Sequence, residues 1–137
     1  MIISFTVPGK PVPKARPRVT MHGTYTPQST REFEQRVRLA WKLSGAGTFP
    51  GGLPLCVFVD AAFPIPASLS RRKREAMDGE PHIRRGDLDN VVKAVLDALN
   101  GLAYPDDAAV TLIRASKFWA PEPHTRIQII STKEDFT

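Results

Sequence analysis

Apolar and polar residues alternate from Ile2 to Val7, with Ile3, Phe5 and Val7 on one side and Ser4 and Thr6 on the other, the period-two pattern of a half-buried strand. Val19 to Thr26 sets β-branched and aromatic residues around Gly23 and reads as a small hairpin. From Gln28 to Ser44 the period lengthens: Phe33, Val37, Ala40, Trp41 and Ser44 fall on one side of a helix, and Ser29 followed by Glu32 predicts a capping box at its start. Trp41, on the apolar stripe, is expected in the core. After the connector 45–52, Leu53 to Phe63 is almost continuously apolar and flanked by prolines, as expected of a central strand covered on both faces, with Asp60 as the exception that calls for a basic neighbour. Ser68 or Ser70 caps a short helix running to Met77.

Leu88, Val92, Val95, Leu99 and Leu102 recur at helical spacing, broadened by Val91 and Ala98, and predict a second amphipathic helix stopped by Asn100-Gly101. Tyr104 to Asp107 is a turn, and Val110 to Trp119 and Arg126 to Ile130 read as strands that pair through the intervening turn. Strands and helices mixed in this order, over 137 residues, predict one α+β domain spanning residues 1–137, a mixed sheet flanked by helices.

Composition narrows the function. The chain is 42% hydrophobic and 24% charged, ordinary for a globular protein, but carries a formal net charge of +5, which favours polyanionic partners. No apolar run reaches the roughly 20 residues that cross a bilayer and the start lacks a secretory pattern, so no membrane association is expected. Cys56 is the single cysteine, which excludes an intrachain disulfide and a thiolate zinc site; it is expected to be a buried small hydrophobe. His22, His82 and His124 lack the spacing of a helical metal pair, leaving oxygen as the ligand for any ion.

The cations are grouped. Lys10, Lys14, Arg16 and Arg18 are interleaved with Pro11, Pro13 and Pro17 in an extended arm, Arg71, Arg72, Lys73 and Arg74 are consecutive, and Arg84 and Arg85 follow. Each group alone is a common solvated surface; together they form a candidate phosphate-contacting surface. Against this background stands an acidic segment. Asp87 and Asp89 open the second amphipathic helix, Lys93 lies one turn on, Asp89, Lys93 and Asp97 share its polar side, and Asp106 and Asp107 follow the turn. Each acid has an ordinary structural use as cap, ion-pair partner or turn former. Clustering beside a basic surface is explained better by a cation between them. Hard oxygen ligands favour Mg²⁺, with Mn²⁺ as substitute. Such an ion beside a lysine and a phosphate-binding surface is the chemistry of phosphodiester hydrolysis. The segment lacks the glycine and glutamate of an EF-hand, and no Walker, nucleophile-elbow, zincin or dinucleotide-binding pattern is present, so no small-molecule cofactor is expected.

The stretch RRGDLDNVVKAVLDALNGLAYPDDAAV resembles the signature of RusA-type Holliday junction resolvases: basic residues, DxDN, a lysine four residues after the second Asp, DAL, and a DD pair before a strand. Gly86 stands where the family often has a further basic residue, a departure expected to loosen the loop before Asp87. The resemblance implies an α+β homodimer that cuts four-way junction DNA by paired symmetric hydrolysis in recombination and repair. It further implies Asp87, Asp89 and Asp107 as metal ligands and catalytic residues, Lys93 as catalytic, Asp106 as secondary, and the cytoplasm of a bacterial or phage-infected cell as the setting. Asp97 is expected to position Lys93. Open alternatives are another metal-dependent structure-specific nuclease acting on flaps or duplex, an RNA-directed hydrolase, and a non-catalytic DNA-binding module.

Overall fold

A computed structural model describes residues 1–131; residues 132–137, part of the expected single domain, lie outside the described residues. The chain runs β1 (Ile2–Pro8), β2 (Arg18–Thr20), β3 (Gly23–Tyr25), α1 (Gln28–Leu43), β4 (Leu55–Pro64), α2 (Arg71–Met77), α3 (Leu88–Leu99), a 3₁₀ turn (Asp107–Ala109), β5 (Val110–Ala120) and β6 (His124–Ser131). It is an α+β fold: a mixed four-stranded sheet in the order β1-β6-β4-β5, three helices, and a separate two-stranded hairpin β2-β3. No helix among the described residues is long and apolar enough to cross a membrane.

The expected pairing of the last two strands is not what forms. β6 lies between β1 and β4, antiparallel to both, while β5 runs parallel to β4 on its other side. The reason lies in β4. Its apolar run needs a partner on each edge, and the turn 121–123 carries the chain past the end of β4, where Pro64 sits in register with Ala120 and Ala62 with His124. The free side of β5 is itself partly sealed by 79–82: Gly79 N and Trp119 N donate to Trp119 O and Glu80 O at 2.8 and 2.9 Å, and His82 N to Lys117 O at 3.2 Å. This edge cover has no signal in the local hydrophobic pattern.

The two long helices share one face of the sheet. Phe33, Val37 and Trp41 of α1 and Val91, Ala94, Val95, Ala98 and Leu99 of α3 are buried against Val57, Val59, Ala61, Ile127 and Ile129. Trp41 and Cys56 are buried as expected. Among the described residues no helix covers the other face, where Ile2 and Leu112 remain 66% and 42% exposed, so β4 is central but covered by described helices on one side only. Asp60, on that face, accepts from Ser116 Oγ at 2.7 Å rather than from a basic side chain.

Two caps differ in kind. α1 begins behind Pro27, whose fixed φ and missing N–H suit a helix entry, and no side chain caps it; Glu32 instead accepts from Gln28 Nε2 at 2.8 Å, so the predicted Ser29 box does not form. α2 has its cap at Ser70, which accepts from Lys73 N at 3.3 Å. The basic arm is also less free than its composition implies. Pro11 is buried, Arg36 donates to Pro8 O and Lys10 O at 2.8 and 3.1 Å, and Lys14 N donates to Asn90 O at 2.8 Å. Between the exposed Lys10 and the exposed stretch that begins at Arg16, residues 11–15 are buried or half-buried.

The fully buried Leu99 closes the α3 core contact, so Leu99→Ala is expected to cost about 2–5 kcal/mol in urea denaturation, whereas Leu43→Ala, 78% exposed on α1, stays within about 0.5 kcal/mol. Equal midpoints for the two variants would contradict this placement of the core.

Candidate functional site

The buried face of α3 fixes the direction of its other groups. With Val91, Val95 and Ala98 turned into the core, Asp89 and Lys93 face solvent, and Leu88, Val92 and Leu96 flank them half to fully buried. Opposite lies the helix-facing side of β5, where Ile113 and Ala115 are exposed because α3 does not extend over the sheet edge. Between them is a cleft of about 590 Å³ lined by Asp89, Lys93, Asp97 and Asp107 on an otherwise apolar wall.

Asp107 comes from the far side of a turn and is fixed there by several bonds. Gly101, at φ 77°, reverses the chain after α3, Gly101 N donates to Tyr104 O at 2.9 Å, and Asn100 Oδ1 accepts from Asp107 N at 3.0 Å. Tyr104 is fully buried beneath, its hydroxyl donating to Leu96 O at 3.0 Å; burial, with the charges of Asp107 and Asp97 behind it, holds its pKa far above the ordinary tyrosine value. Asp106 accepts from Ala108 N at 3.2 Å and so caps the 3₁₀ turn. Partial burial, and then the neighbouring Asp106 and Asp97 carboxylates, push the Asp107 pKa up. These acids repel one another, a cost that a cation would relieve.

Asp87 stands at the N-cap of α3 with an exposed side chain that makes no capping bond. It does not line the cleft; what positions it is the loop before it. Lys117 Nζ, on β5, donates to Arg84 O at 2.9 Å and Gly86 O at 3.1 Å. Gly86 has φ 119°, and a Cβ there would lie 2.9 Å from Phe63 Cε1 and Cζ. The glycine therefore tightens this loop by close packing rather than loosening it. Lys117 is not among the sequence-predicted site residues, although a cation at a helix-facing position of an alternating strand is the signal that finds it.

Lys93 enters no ion pair among the described residues, and Asp97 is not its partner. Asp97 instead lies 3.2 Å from Lys14 Nζ, which also meets Glu34 at 2.6 Å. Burial works against the Lys14 charge, but Glu34 and Asp97 outweigh it and leave its pKa raised. Lys14 thus clamps the arm to α1 and α3, while Lys10, Arg16, Arg18, Arg71, Arg72, Lys73, Arg74, Arg84 and Arg85 are exposed. Arg71 also pairs with Glu75 at 3.0 Å, a surface contact of small energetic weight.

Among the described residues no three His, Cys, Asp or Glu side chains stand close enough together to hold a metal ion. The donor chemistry nevertheless fits a hard divalent cation: Asp89 and Asp107 face one cleft, and Mg²⁺ characteristically takes one or two protein carboxylates with the remainder from water and phosphate.

Residues 8–130 match the protein-family model described as Endodeoxyribonuclease RusA. The chain is also 35% identical over 135 residues to a Bacillus subtilis (strain 168) protein named "Uncharacterized protein YqaN", with 93% of this chain and 94% of that protein covered.

Gly86→Ala is expected to destabilise the fold by about 1–3 kcal/mol in urea, through strain at positive φ and collision with Phe63, whereas Gly47→Ala, where an added Cβ meets nothing, changes stability by less than about 1 kcal/mol. Indistinguishable unfolding curves for the two would remove the constraint placed on the Asp87 loop.

Proposed function

This chain belongs to the RusA endodeoxyribonuclease family, and from that premise we propose that it is a Mg²⁺-dependent endonuclease that resolves four-way DNA junctions as a homodimer. The observation that carries the reading is the cleft in which Asp89 and Lys93 from α3 and Asp107 from the 3₁₀ turn line one wall, in a chain of net charge +5.

In this reading Asp89 and Asp107 would hold the ion from the cleft wall, and Asp87, outside that wall at the start of α3, would be the third carboxylate to join them. When bound, Mg²⁺, or Mn²⁺ in its place, supplies Lewis acidity toward the phosphoryl oxygens. Lys93, without a carboxylate partner among the described residues, places its ammonium where negative charge develops on the pentacoordinate phosphorus centre. The apolar wall of Leu88, Val92, Ile113 and Ala115 lowers the local dielectric and strengthens that interaction. Water adds to phosphorus, one P–O bond breaks, and the strand is left with a phosphate and a hydroxyl end. Lys10, Arg16, Arg18, the Arg71–Arg74 run, Arg84 and Arg85 hold flanking phosphates; Lys14, already paired, is the least available of the sequence-predicted contacts. Two copies about a two-fold axis would present two clefts, which matches paired cuts on opposing strands.

A synthetic four-way junction, a flap and a linear duplex, each incubated with Mg²⁺ or EDTA, test the reading directly. Symmetric Mg²⁺-dependent nicks in the junction are expected, preferential flap or duplex cutting would replace the substrate, and binding without any cleavage would leave a DNA-binding module. Asp87→Asn, Asp89→Asn, Asp107→Asn and Lys93→Ala are each expected to abolish cleavage while circular dichroism and junction binding persist; loss of fold in all four would make these residues structural. Replacing Arg71 to Arg74 with alanine is expected to flatten the salt dependence of junction binding, by up to about 0.9 in log–log slope for each phosphate that α2 no longer neutralises. An unchanged slope would take α2 out of the interface.

A further inference from the structure

A second concave site lies on the same face of the sheet, beyond the loop that carries Asp87. It encloses about 400 Å³ and is lined by Lys10, Arg84 and Arg85 on one side and by Phe63, His82 and Trp119 on the other. Its position follows from β5. Ile113, Ala115, Lys117 and Trp119 are alternate residues and point to one side. Ile113 and Ala115 wall the acidic cleft, Lys117 holds Arg84 O and Gly86 O between the two sites, and Trp119 walls the second. Four residues of strand separate Ala115 from Trp119, roughly 13 Å. The two sites therefore sit within a few nucleotides of one another on any strand crossing this face.

The aromatic wall is built. Phe63 and Trp119 are register neighbours on parallel strands, and His82 packs against both, with ring centroids 4.3 Å from Phe63 and 4.2 Å from Trp119. Phe63 and His82 are buried, at 2% and 5% exposure, and Trp119 is the half-exposed member. His82 Nδ1 is enclosed and finds no hydrogen-bond partner among the described residues. Burial first, and then the charges of Lys117, Lys10 and Arg84, lower the His82 pKa.

Cations beside an aromatic face are the two components by which proteins hold unpaired nucleotides, the first taking the phosphate and the second stacking on the base. We propose that this pocket binds one unpaired nucleotide of the DNA substrate, its phosphate among Lys10, Arg84 and Arg85 and its base against Trp119. The proposal rests on the reading of the chain as a protein that acts on DNA. It adds a reason for structure selection: in a continuous duplex each base remains paired and stacked, so the pocket fills only where a strand leaves the duplex close to the acidic cleft. Phe63 and His82 act through Trp119, holding its ring at the pocket wall.

The test is made in EDTA, without cleavage, on the full chain. Fluorescein-labelled oligothymidylate of eight nucleotides and an abasic oligonucleotide of the same length are titrated by anisotropy, with intrinsic tryptophan emission followed in parallel; Trp41 is buried and contributes a constant background. Oligothymidylate is expected to bind about tenfold more tightly than the abasic chain and to quench Trp119. Trp119→Ala is expected to erase that preference and Trp119→Phe to keep most of it, while Arg84→Ala and Arg85→Ala weaken both ligands alike. Equal binding of the two oligonucleotides by the wild-type chain, without quenching, overturns the proposal even where Trp119→Ala fails to fold. Junction cleavage without a base preference would overturn the pocket and sustain the nuclease; a base preference in a protein that cuts nothing would sustain the pocket and overturn the nuclease.

Discussion

The rotational phase of α3 governs the arrangement of the site. A helix advances 100° per residue, so burying Val91, Val95 and Ala98 against β4 and β6 leaves no freedom in where Asp89 and Lys93 point. They face the strip of β5 that the helix does not reach, and the cleft exists because β5 is an edge strand one position beyond the helix layer. The same core contact that stabilises the fold thereby aims Asp89 and Lys93 without a dedicated scaffold. Clamps act at both ends of the helix: Lys117 and Gly86 fix the loop entering it, and Asn100 and Gly101 return Asp107 beside it.

Charge is divided between two tasks. Lys14 is used inside the molecule, where Glu34 and Asp97 bind the arm to both helices, and this draws Asp97, one of the two acids at helical spacing from Lys93, away from it. The exposed cations of the distal arm, of α2 and of the loop before α3 remain for an external polyanion. The raised pKa of Asp107, caused by partial burial and then by Asp106 and Asp97, records the crowding of acids at the cleft. A family of deoxyribonucleases is consistent with both halves of this division.

Much of this was legible in the chain because it is local. Helical periodicity placed Asp89, Lys93 and Asp97 on one side, and the Asn100-Gly101 stop with the following turn anticipated the return of Asp107. The pairing of β6 between β1 and β4 was not legible, since register across a sheet is a contest among distant segments that a short connecting turn does not decide. The same holds for the cover of β5 by residues 79–82 and for the Lys14 clamp, which joins positions 20 and 83 residues apart. Ser29 misled as a capping residue because Pro27, already pre-set in φ, caps the helix two residues earlier.

The central claim is that Asp89 and Asp107, brought from separate elements, act on one divalent ion. Mn²⁺ titration followed by electron paramagnetic resonance measures this without DNA. Asp89→Asn and Asp107→Asn are each expected to weaken Mn²⁺ binding strongly, with the double variant little worse than either single one, as for two ligands of a shared ion. Mn²⁺ binding unchanged by both substitutions, or losses that simply add, would contradict a shared site.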